Sequence, residues 1–399
     1  MAEEDSIAPT APTGRPPAVL QIVPSLISGG AERGTVELAE ALVAAGWTSC
    51  VASSGGPLAA AIVRAGAIHL TLPLATKNPF VIRRNAGRLA RLIRRLGIDI
   101  VHARSRAPAW SARAAARATG RHFVTTFHNA YDTALPFKRW YNSVMAEGER
   151  VIAISDFVAE YAARVYGVGP ERLRTIPRGV DLAFFDPQRI GLYRLSALAQ
   201  AWRLPDGVPV ALLPGRLTRW KGGLDFITAL AALEAEICGV MVGAEQRPGF
   251  RAELEAAVAR SGLGARFRIA GDCRDMPAAY LLADVVVAPS RDPEGFGRVV
   301  VEAQAMGRPV VATDHGGARE TIVPGETGWL VPPGDPPALA AAIDAALALT
   351  PEARRDLGLR ARAHVAQRFT RAAMCARTID VYEELLFPNA AQGEQEDDG

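Results

Sequence analysis

Cysteine, lysine and long apolar runs are all scarce in this chain of 399 residues. Its four cysteines form no CxxC pair and have no histidine-rich neighbourhood, which argues against a zinc site and a disulfide framework. No apolar run reaches the roughly eighteen residues that a membrane-spanning helix needs, and the acidic first residues are unlike a secretory signal. These absences favour a cytoplasmic protein in a reducing compartment, without a transmembrane anchor.

The glycine signatures of two common nucleotide-binding loops are missing as well. The chain has no GxxxxGK[S/T] motif, so a nucleoside-triphosphate loop of that type loses its main support. It has no GxGxxG motif either, which counts in the same way against an NAD-dependent dehydrogenase.

Charge is distributed unevenly along the chain. The net charge is only +3, but the first 190 residues hold 23 Lys+Arg against 15 Asp+Glu, and the remainder holds 22 against 27. The two parts, at +8 and −5, are therefore expected to meet different partners. Only three of the 45 basic residues are lysines, namely Lys77, Lys138 and Lys221.

Short apolar runs alternate with helix-length segments such as 31–45 and 79–96. This order predicts parallel sheets covered by helices on both faces, an α/β architecture. Eleven strands exceed what one strongly twisted open sheet usually holds, so we expect two Rossmann-like, doubly wound domains facing each other across a cleft. The predicted strands are residues 19–23, 48–52, 98–102, 123–127, 151–154, 173–176, 208–213, 239–242, 267–270, 284–288 and 309–313.

The predicted domain boundaries follow from composition. Prolines and the lack of a clean strand before residue 208 indicate a hinge, and both chain ends look disordered. The boundaries are a disordered tail over 1–17, an N-terminal domain over 18–190, a linker over 191–207, a C-terminal domain over 208–370, a helix over 371–388 that packs back towards the N-terminal domain, and an acidic disordered tail over 389–399.

Two loops after predicted strands are suited to anions. In the segment 28–34, the glycines Gly29 and Gly30 let backbone N–H groups approach an anion at a helix N-terminus, although a plain helix-starting turn explains them equally well. In the segment 215–222, Arg216 and Lys221 can converge on a diphosphate, with a solvated pair of charges as the alternative. The rarity of lysine favours a role for Lys221.

A glycine turn between residues 293 and 298 is followed by a helix that contains Glu302. Glu294 lies in the turn, and seven residues separate it from Glu302, which is too far for a glycosidase pair. The spacing suits contacts to two distant parts of one ligand. In a nucleotide sugar, Glu294 would contact the sugar hydroxyls and Glu302 the ribose. His128 directly follows the run 123–127; a single histidine is more often structural, but this position favours a site.

Together these motifs resemble the retaining glycosyltransferases of family 4, which have the GT-B architecture. The likeness covers roughly residues 18–385. The matching segments are Gly29-Gly30-Ala31-Glu32, Ile154-Ser155, Ile176-Pro177-Arg178-Gly179-Val180-Asp181, Gly215-Arg216 with Lys221-Gly222, and Glu294-Gly295-Phe296-Gly297 with Glu302.

The resemblance implies a role for each matching residue. Arg216 and Lys221 are expected to hold the donor diphosphate, Glu294 to contact the transferred sugar and Glu302 the ribose. Gly30 is expected near the diphosphate, and His128 near the sugar and the reaction centre. The predicted catalytic residues are thus Arg216, Lys221, Glu294 and His128, and the predicted donor-binding residues are Gly29, Gly30, Gly215, Arg216, Lys221, Glu294, Gly295, Phe296, Gly297 and Glu302.

The family implies a front-face displacement that retains the anomeric configuration, in which the leaving phosphate assists deprotonation of the acceptor. No cofactor and no metal is expected, in line with the absence of a DxD-type metal motif; the nucleotide-diphosphate sugar is a co-substrate. Two positions depart from the family pattern: Arg104 stands where many relatives have a second histidine, and Arg178 where asparagine is common.

A strongly basic stretch marks the N-terminal, acceptor-binding domain. Between Arg83 and His122 there are eleven arginines and one acidic residue, Asp99. The helix over 79–96 is amphipathic, which suits an anionic bilayer or a lipid-linked acceptor, although a solvated helix packed on the sheet is an equal alternative. The predicted acceptor or membrane contacts are Arg83, Arg84, Arg88, Arg91, Arg94 and Arg95.

These observations predict transfer of a hexose to a lipid-linked envelope glycan resembling lipopolysaccharide core, by an enzyme peripheral to the inner face of the cytoplasmic membrane. No nucleic-acid partner is expected. The alternatives are a GT-B sugar-nucleotide epimerase or hydrolase, and a non-catalytic subunit that binds nucleotide sugar.

Overall fold

A computed structural model of the chain describes residues 14–27, 29–246 and 248–388. It divides into two compact units. The first contains the described residues up to Arg178 together with those from Ala372 onwards, and the second contains Gly179–Arg371.

The first unit is built on a seven-stranded parallel sheet with the order β3-β2-β1-β4-β5-β6-β7. Its central strands are buried along their whole length because helices cover both faces of the sheet. The strands are β1 Ala18–Ile22, β2 Thr48–Ser53, β3 Ile68–Thr71, β4 Ile100–Ala103, β5 His122–Phe127, β6 Arg150–Ala153 and β7 Leu173–Thr175. The helices are α1 Gly30–Ala44, α2 Ala59–Arg64, α3 Pro79–Leu96, α4 Arg106–Thr119, α5 Pro136–Ser143 and α6 Asp156–Tyr166.

The second unit is built on a six-stranded parallel sheet with the order β10-β9-β8-β11-β12-β13. The strands are β8 Val210–Pro214, β9 Cys238–Val242, β10 Phe267–Ile269, β11 Val285–Ala288, β12 Val310–Thr313 and β13 Trp329–Val331. The helices are α7 Leu192–Trp202, α8 Gly223–Ala231, α9 Phe250–Arg260, α10 Met276–Leu282, α11 Arg298–Ala305, α12 Ala318–Thr321, α13 Pro336–Leu347 and α14 Pro351–Arg368.

The predicted C-terminal helix is α15, Arg371–Leu386, and from Ala372 onwards it belongs to the first unit. Its apolar side lies in the core of that unit, where Tyr382 is fully buried in one cluster with Val19 and Leu38. Glu384 adds ion pairs to Arg150 and Arg174 on the last two strands. The helix thus closes one face of the first sheet.

All eleven predicted runs coincide with strands, and the fold class is confirmed as two Rossmann-like α/β units. The two strands that the sequence did not reveal, β3 and β13, lie at sheet edges. Neither is fully buried, and β3 has exposed residues at both ends. β3 alternates apolar with polar residues and β13 is only three residues long, so neither forms an apolar run of the usual strand length, whereas the other two edge strands, β7 and β10, were predicted.

The predicted linker over 191–207 is corrected by the structure. Most of it is helix α7, which packs in the second unit, where Arg194 pairs with Asp275 at 2.6 Å. The boundary between the units falls after Arg178, because Val180 already hydrogen-bonds to Phe369 and Arg371. Prolines flank α7 and do not interrupt it, so their presence was misread as a sign of a hinge.

The predicted tails fall mostly outside the described residues, which is the case for 1–13 and 389–399. Residues 14–17 of the predicted disordered tail are described, and Arg15 among them is held by an ion pair. Its guanidinium forms two hydrogen bonds, of 2.7 and 3.0 Å, with the carboxylate of Asp99, which is 2% exposed. Among the described residues, no helix combines the length and apolar character needed to cross a membrane.

Both sheets have a topological switch point, where the strand order reverses direction. It lies between β1 and β4 in the first unit and between β8 and β11 in the second. Ligands of doubly wound folds bind outside the carboxyl ends of the strands at this point. The loops after these four strands are therefore the places to look for a site.

Candidate functional site

The loop after β8 carries the first predicted donor residues. Gly215 follows the strand, Arg216 is exposed, and Arg219–Lys221 form a single turn of 3-10 helix. Buried Leu217 anchors the loop through a bridge to Glu245. Within the described chain, the Arg216 side chain makes no hydrogen bond or ion pair, so its guanidinium faces solvent at the carboxyl end of the sheet.

Gly222 joins this loop to the loop after β11. Its backbone is left-handed, with φ of 73°, and a Cβ on this residue would lie 1.8 Å from the carbonyl oxygen of Pro289. Only glycine allows so close an approach. The approach brings the two loops of the switch point together, and with them Lys221 and Glu294.

Lys221 and Glu294 form an ion pair of 2.7 Å between Nζ and Oε1, with side chains that are 12% and 21% exposed. The Ser290 hydroxyl donates to the same oxygen at 2.5 Å. Burial by itself would raise the pKa of the Glu294 carboxyl, but the Lys221 ammonium and the Ser290 hydroxyl hold that pKa below its ordinary value. The structure therefore places a charged carboxylate and an ammonium side by side at the switch point.

The loop after β12 supports this pair from behind. The N–H of Gly317 donates to the Glu294 carbonyl at 2.9 Å, and His315 Nε2 lies 2.8 Å from the carbonyl oxygen of Ser290, to which it donates. Neither Ser290 nor His315 was among the site residues predicted from the sequence. Both follow the carboxyl end of a strand, the same signal that identified His128, and could have been found in the same way.

Glu302 is held separately inside α11. It is buried, its Oε2 accepts a hydrogen bond of 2.8 Å from the Tyr280 hydroxyl, and its Oε1 lies 3.3 Å from Arg298 Nε. The protein thus partners this carboxylate, as its burial requires. Each carboxylate oxygen has a further lone pair with which it can accept another hydrogen bond. Binding of ribose hydroxyls by Glu302 stays a prediction.

The three residues of the glycine turn between Glu294 and α11 differ in how they are packed. Gly295 is buried, and Gly297 is the residue that caps the start of α11. The Phe296 side chain is only 3% exposed and packs edge-on against Phe369, with 5.4 Å between the ring centres. A donor contact at Phe296 must therefore come from its backbone.

In the first unit, Gly29 and Gly30 lie at the start of α1, in the loop after β1. The Glu32 carboxylate folds back over this turn, so that a Cβ on Gly29 would lie 2.5 Å from its Oε2. The N–H of Arg33 donates to the Gly29 carbonyl at 3.0 Å. The predicted anion site therefore has a carboxylate beside it in this structure.

Four cationic or titratable side chains gather at the carboxyl edge of the first sheet. They come from β4, β5 and β7 or from the residues just after them, and the set is His102, Arg104, His128 and Arg178. His102 is fully buried between the Tyr382 hydroxyl, 2.6 Å from Nδ1, and the Thr126 hydroxyl, 2.7 Å from Nε2. Burial above all, with the Arg104 and Arg178 guanidiniums, keeps the pKa of His102 well below its ordinary value.

Both arginines that depart from the family pattern belong to this set. Arg104 is 3% exposed and donates to the Gln21 side chain at 3.2 Å. Arg178 is 4% exposed, and its Nη2 lies 2.6 Å from His128 Nδ1. The two guanidiniums meet beside Gly34, where a Cβ would lie 2.5 Å from Arg178 and 3.2 Å from Arg104. The sequence did not predict that these residues would form one cluster.

The basic helix α3 is packed by its apolar side. Leu89 and Ile93 are fully buried, and Ser111 of α4 donates to the Ile82 carbonyl. The arginine side remains outside, with Arg88 half-buried and the others exposed; in the described chain none of the six pairs with a carboxylate, the set being Arg83, Arg84, Arg88, Arg91, Arg94 and Arg95. Most of the apolar stripe is used in this packing, although Phe80 at the start of the helix is 82% exposed, so the arginine side offers mainly an electrostatic contact.

No metal site emerges from the described part of the chain, where no group of three His, Cys, Asp or Glu side chains could hold an ion. The two edges present a lysine and glutamate pair with an exposed arginine in the second unit, and a buried histidine and arginine cluster in the first.

Two family profiles match this chain, one in each half. Glycosyltransferase Family 4 matches residues 28–184, and Glycosyl transferases group 1 matches residues 208–348. A D-inositol 3-phosphate glycosyltransferase of Xylanimonas cellulosilytica is 35% identical over 245 residues, which is 60% of this chain and 58% of that relative. The chain therefore matches less than two thirds of the length of this curated relative.

Solved structures match over nearly the whole chain. A glycosyltransferase from Rickettsia africae ESF-5 is 36% identical, with a TM-score of 0.86 over 93% of this chain and 99% of that one. Anabaena HepE, solved in complex with UDP and glucose, is 23% identical, with a TM-score of 0.81 over 92% of this chain and 99% of that one, and shows the fold alone. With its two profile matches and a relative that is 36% identical over 93% of its length, this chain belongs to the family 4 glycosyltransferases of the GT-B architecture.

Proposed function

We propose that this protein is a retaining glycosyltransferase that moves a hexose from a nucleotide-diphosphate sugar to a lipid-linked envelope glycan, without a metal ion. The observation that carries the proposal is the pair of Lys221 and Glu294 at the switch point of the second sheet, beside the exposed Arg216. An ammonium and a guanidinium at this edge suit a diphosphate, and a charged carboxylate suits sugar hydroxyls.

In the proposed reaction, Arg216 and Lys221 bind the diphosphate and offset the charge that develops on it as the bond to the sugar breaks. Lys221 then serves two anions, the phosphate and Glu294. Glu294 orients the sugar, Glu302 the ribose, and the leaving phosphate takes the proton of the attacking hydroxyl on the same face. Such fixed charges, aimed at the leaving group, supply much of the rate of transfer reactions.

A screen of nucleotide sugars tests the donor half of the proposal. We expect one member of a panel of UDP-, GDP- and ADP-hexoses to raise the unfolding temperature, because a ligand at one hundred times its Kd adds about 2.7 kcal/mol of stability. The same panel is then incubated with enzyme in the absence of acceptor. Rapid release of free sugar or an epimer would instead favour the hydrolase or epimerase, and binding without turnover on any acceptor would favour a non-catalytic subunit.

A phosphorylated cyclitol is a second candidate acceptor. It is favoured by the name of the relative, a D-inositol 3-phosphate glycosyltransferase, and by the basic first unit. Parallel transfer assays with inositol 3-phosphate and with a lipid-linked oligosaccharide, each with the donor found above, distinguish the two candidate acceptors. Transfer to inositol phosphate alone would reject the envelope-glycan acceptor.

Peripheral attachment to an anionic membrane is proposed through α3. We expect the chain to float with vesicles containing anionic lipid at low salt and to be released as salt rises, since the contact is electrostatic. Replacing Arg83, Arg84 and Arg95 by serine should abolish flotation. Replacing the exposed arginines Arg64, Arg260 and Arg355 by serine changes the net charge equally and should leave it intact.

Flotation that is absent at low salt, or that salt does not weaken, would contradict the membrane proposal. Equal losses in both triple variants would show an effect of net charge and not of α3.

A further inference from the structure

The contact between Arg178 and His128 determines which nitrogen of the histidine carries a proton. Arg178 Nη2 lies 2.6 Å from His128 Nδ1, a short hydrogen bond. A guanidinium has only N–H groups and no acceptor, so it must be the donor in this bond. Nδ1 therefore accepts through its lone pair, and the proton of the neutral imidazole lies on Nε2.

The surroundings of His128 support the same assignment. Its Nε2 is buried and has no hydrogen-bond partner among the described residues. The Arg104 carbonyl by itself favours a proton on the ring, but its effect on the pKa is outweighed. Burial first, then the guanidiniums of Arg178 and Arg104 and the ring of His102, all keep the pKa of His128 well below its ordinary value. The Tyr131 hydroxyl accepts a hydrogen bond of 3.5 Å from the backbone N–H of His128.

Arg178 is itself held in place. It is 4% exposed, its Nη1 lies 3.7 Å from the Met374 sulfur on α15, and Gly34 of α1 leaves the space that the guanidinium fills. A side chain so confined cannot rotate away without a change in the packing of α1 or α15. The bond to Nδ1 is thus a fixed feature of the first unit.

We propose that Arg178 is a positioning residue that holds His128 as the neutral Nε2–H tautomer, so that His128 meets the substrate as a hydrogen-bond donor and not as a base. An unpartnered buried donor is costly, and an oxygen atom of a substrate bound at this edge of the sheet would satisfy it. The role in catalysis rests on the proposed glycosyl transfer, whereas the tautomer does not.

Nuclear magnetic resonance of the full-length chain with 15N-labelled histidine tests the tautomer without any substrate. The His128 signals among the six histidines are assigned with the His128→Gln variant. We expect an unprotonated Nδ1 and a protonated Nε2 from pH 5.5 to 8.5. A proton on Nδ1, or a ring that becomes charged near pH 6.5, would overturn the proposal.

Replacing Arg178 by asparagine, the residue common in the family, should release the tautomer, because an amide can donate or accept. We expect the titration of His128 to move towards its ordinary pKa of 6.5 and kcat to fall roughly tenfold or more, with a smaller change in KM. Arg178→Lys, which retains a cationic donor, should restore part of the loss. Arg164→Asn, at an exposed position on α6, is the matched control.

Variants of His128 distinguish a role as hydrogen-bond donor from a role as base. Glutamine can present an N–H near the position of Nε2 but cannot accept a proton, so His128→Gln should retain clearly more activity than His128→Ala. Equal inactivation by both would overturn the donor role. Absence of transfer by the unmodified enzyme with every donor would instead refute the proposed function, and the spectra would still decide the tautomer.

Discussion

Replacing Lys221 by alanine should lower kcat for sugar transfer by about 100-fold or more, because removal of one fixed charge at a developing anion costs about two to three orders of magnitude in rate. The effect is large at this position because Lys221 serves both the proposed diphosphate and Glu294, at 2.7 Å. Without the ammonium, the carboxylate of Glu294 loses the partner that keeps its pKa low. Steady-state kinetics with the identified donor and acceptor measure the loss.

Glu294→Gln probes the other half of the pair. The amide keeps the volume and the contact with the Ser290 hydroxyl but removes the charge, so we expect a comparable loss of kcat. Lys77→Ala removes an exposed lysine of the first unit and should leave turnover unchanged. Wild-type turnover in either Lys221→Ala or Glu294→Gln, with an intact fold, would refute the site in the second unit.

Gly222→Ala should lower the free energy of unfolding by at least about 3 kcal/mol. The left-handed backbone at φ of 73° costs an L-residue about 1 to 2 kcal/mol, and the new Cβ also collides with the Pro289 carbonyl oxygen, 1.8 Å away. For a unit of this size, we expect the unfolding temperature to fall by about 6 to 12 °C. Activity should fall as well, because the collision separates the loops that carry Lys221 and Glu294.

The matched control for this prediction is Gly262→Ala. Gly262 has nearly the same φ, 72°, but no atom within 4 Å of the position of a Cβ. Its substitution should therefore show the backbone strain alone, with a fall of about 2 to 8 °C. If the two variants unfold at the same temperature, the close approach of the two loops is not what stabilises the switch point.

The amino-acid sequence by itself determined the class of fold. Strands buried on both faces are rich in apolar residues, so β1 and β8 were visible as nearly continuous apolar runs. The edge strands β3 and β13 were not, because β3 alternates apolar with polar residues and β13 is only three residues long. Prolines before and after α7 were read as a hinge although they only mark the ends of a helix.

The sequence also identified the loops of the candidate site, because glycine turns and a rare lysine at strand ends are local signals. It did not reveal that Lys221 and Glu294 form one pair, since seventy-two residues separate them and a backbone contact at Gly222 brings them together. Nor did it show that Arg178 approaches His128, fifty residues away in the chain. Local patterns determine elements and loops, but the partner of a charged side chain is decided by which strands the sheet places side by side.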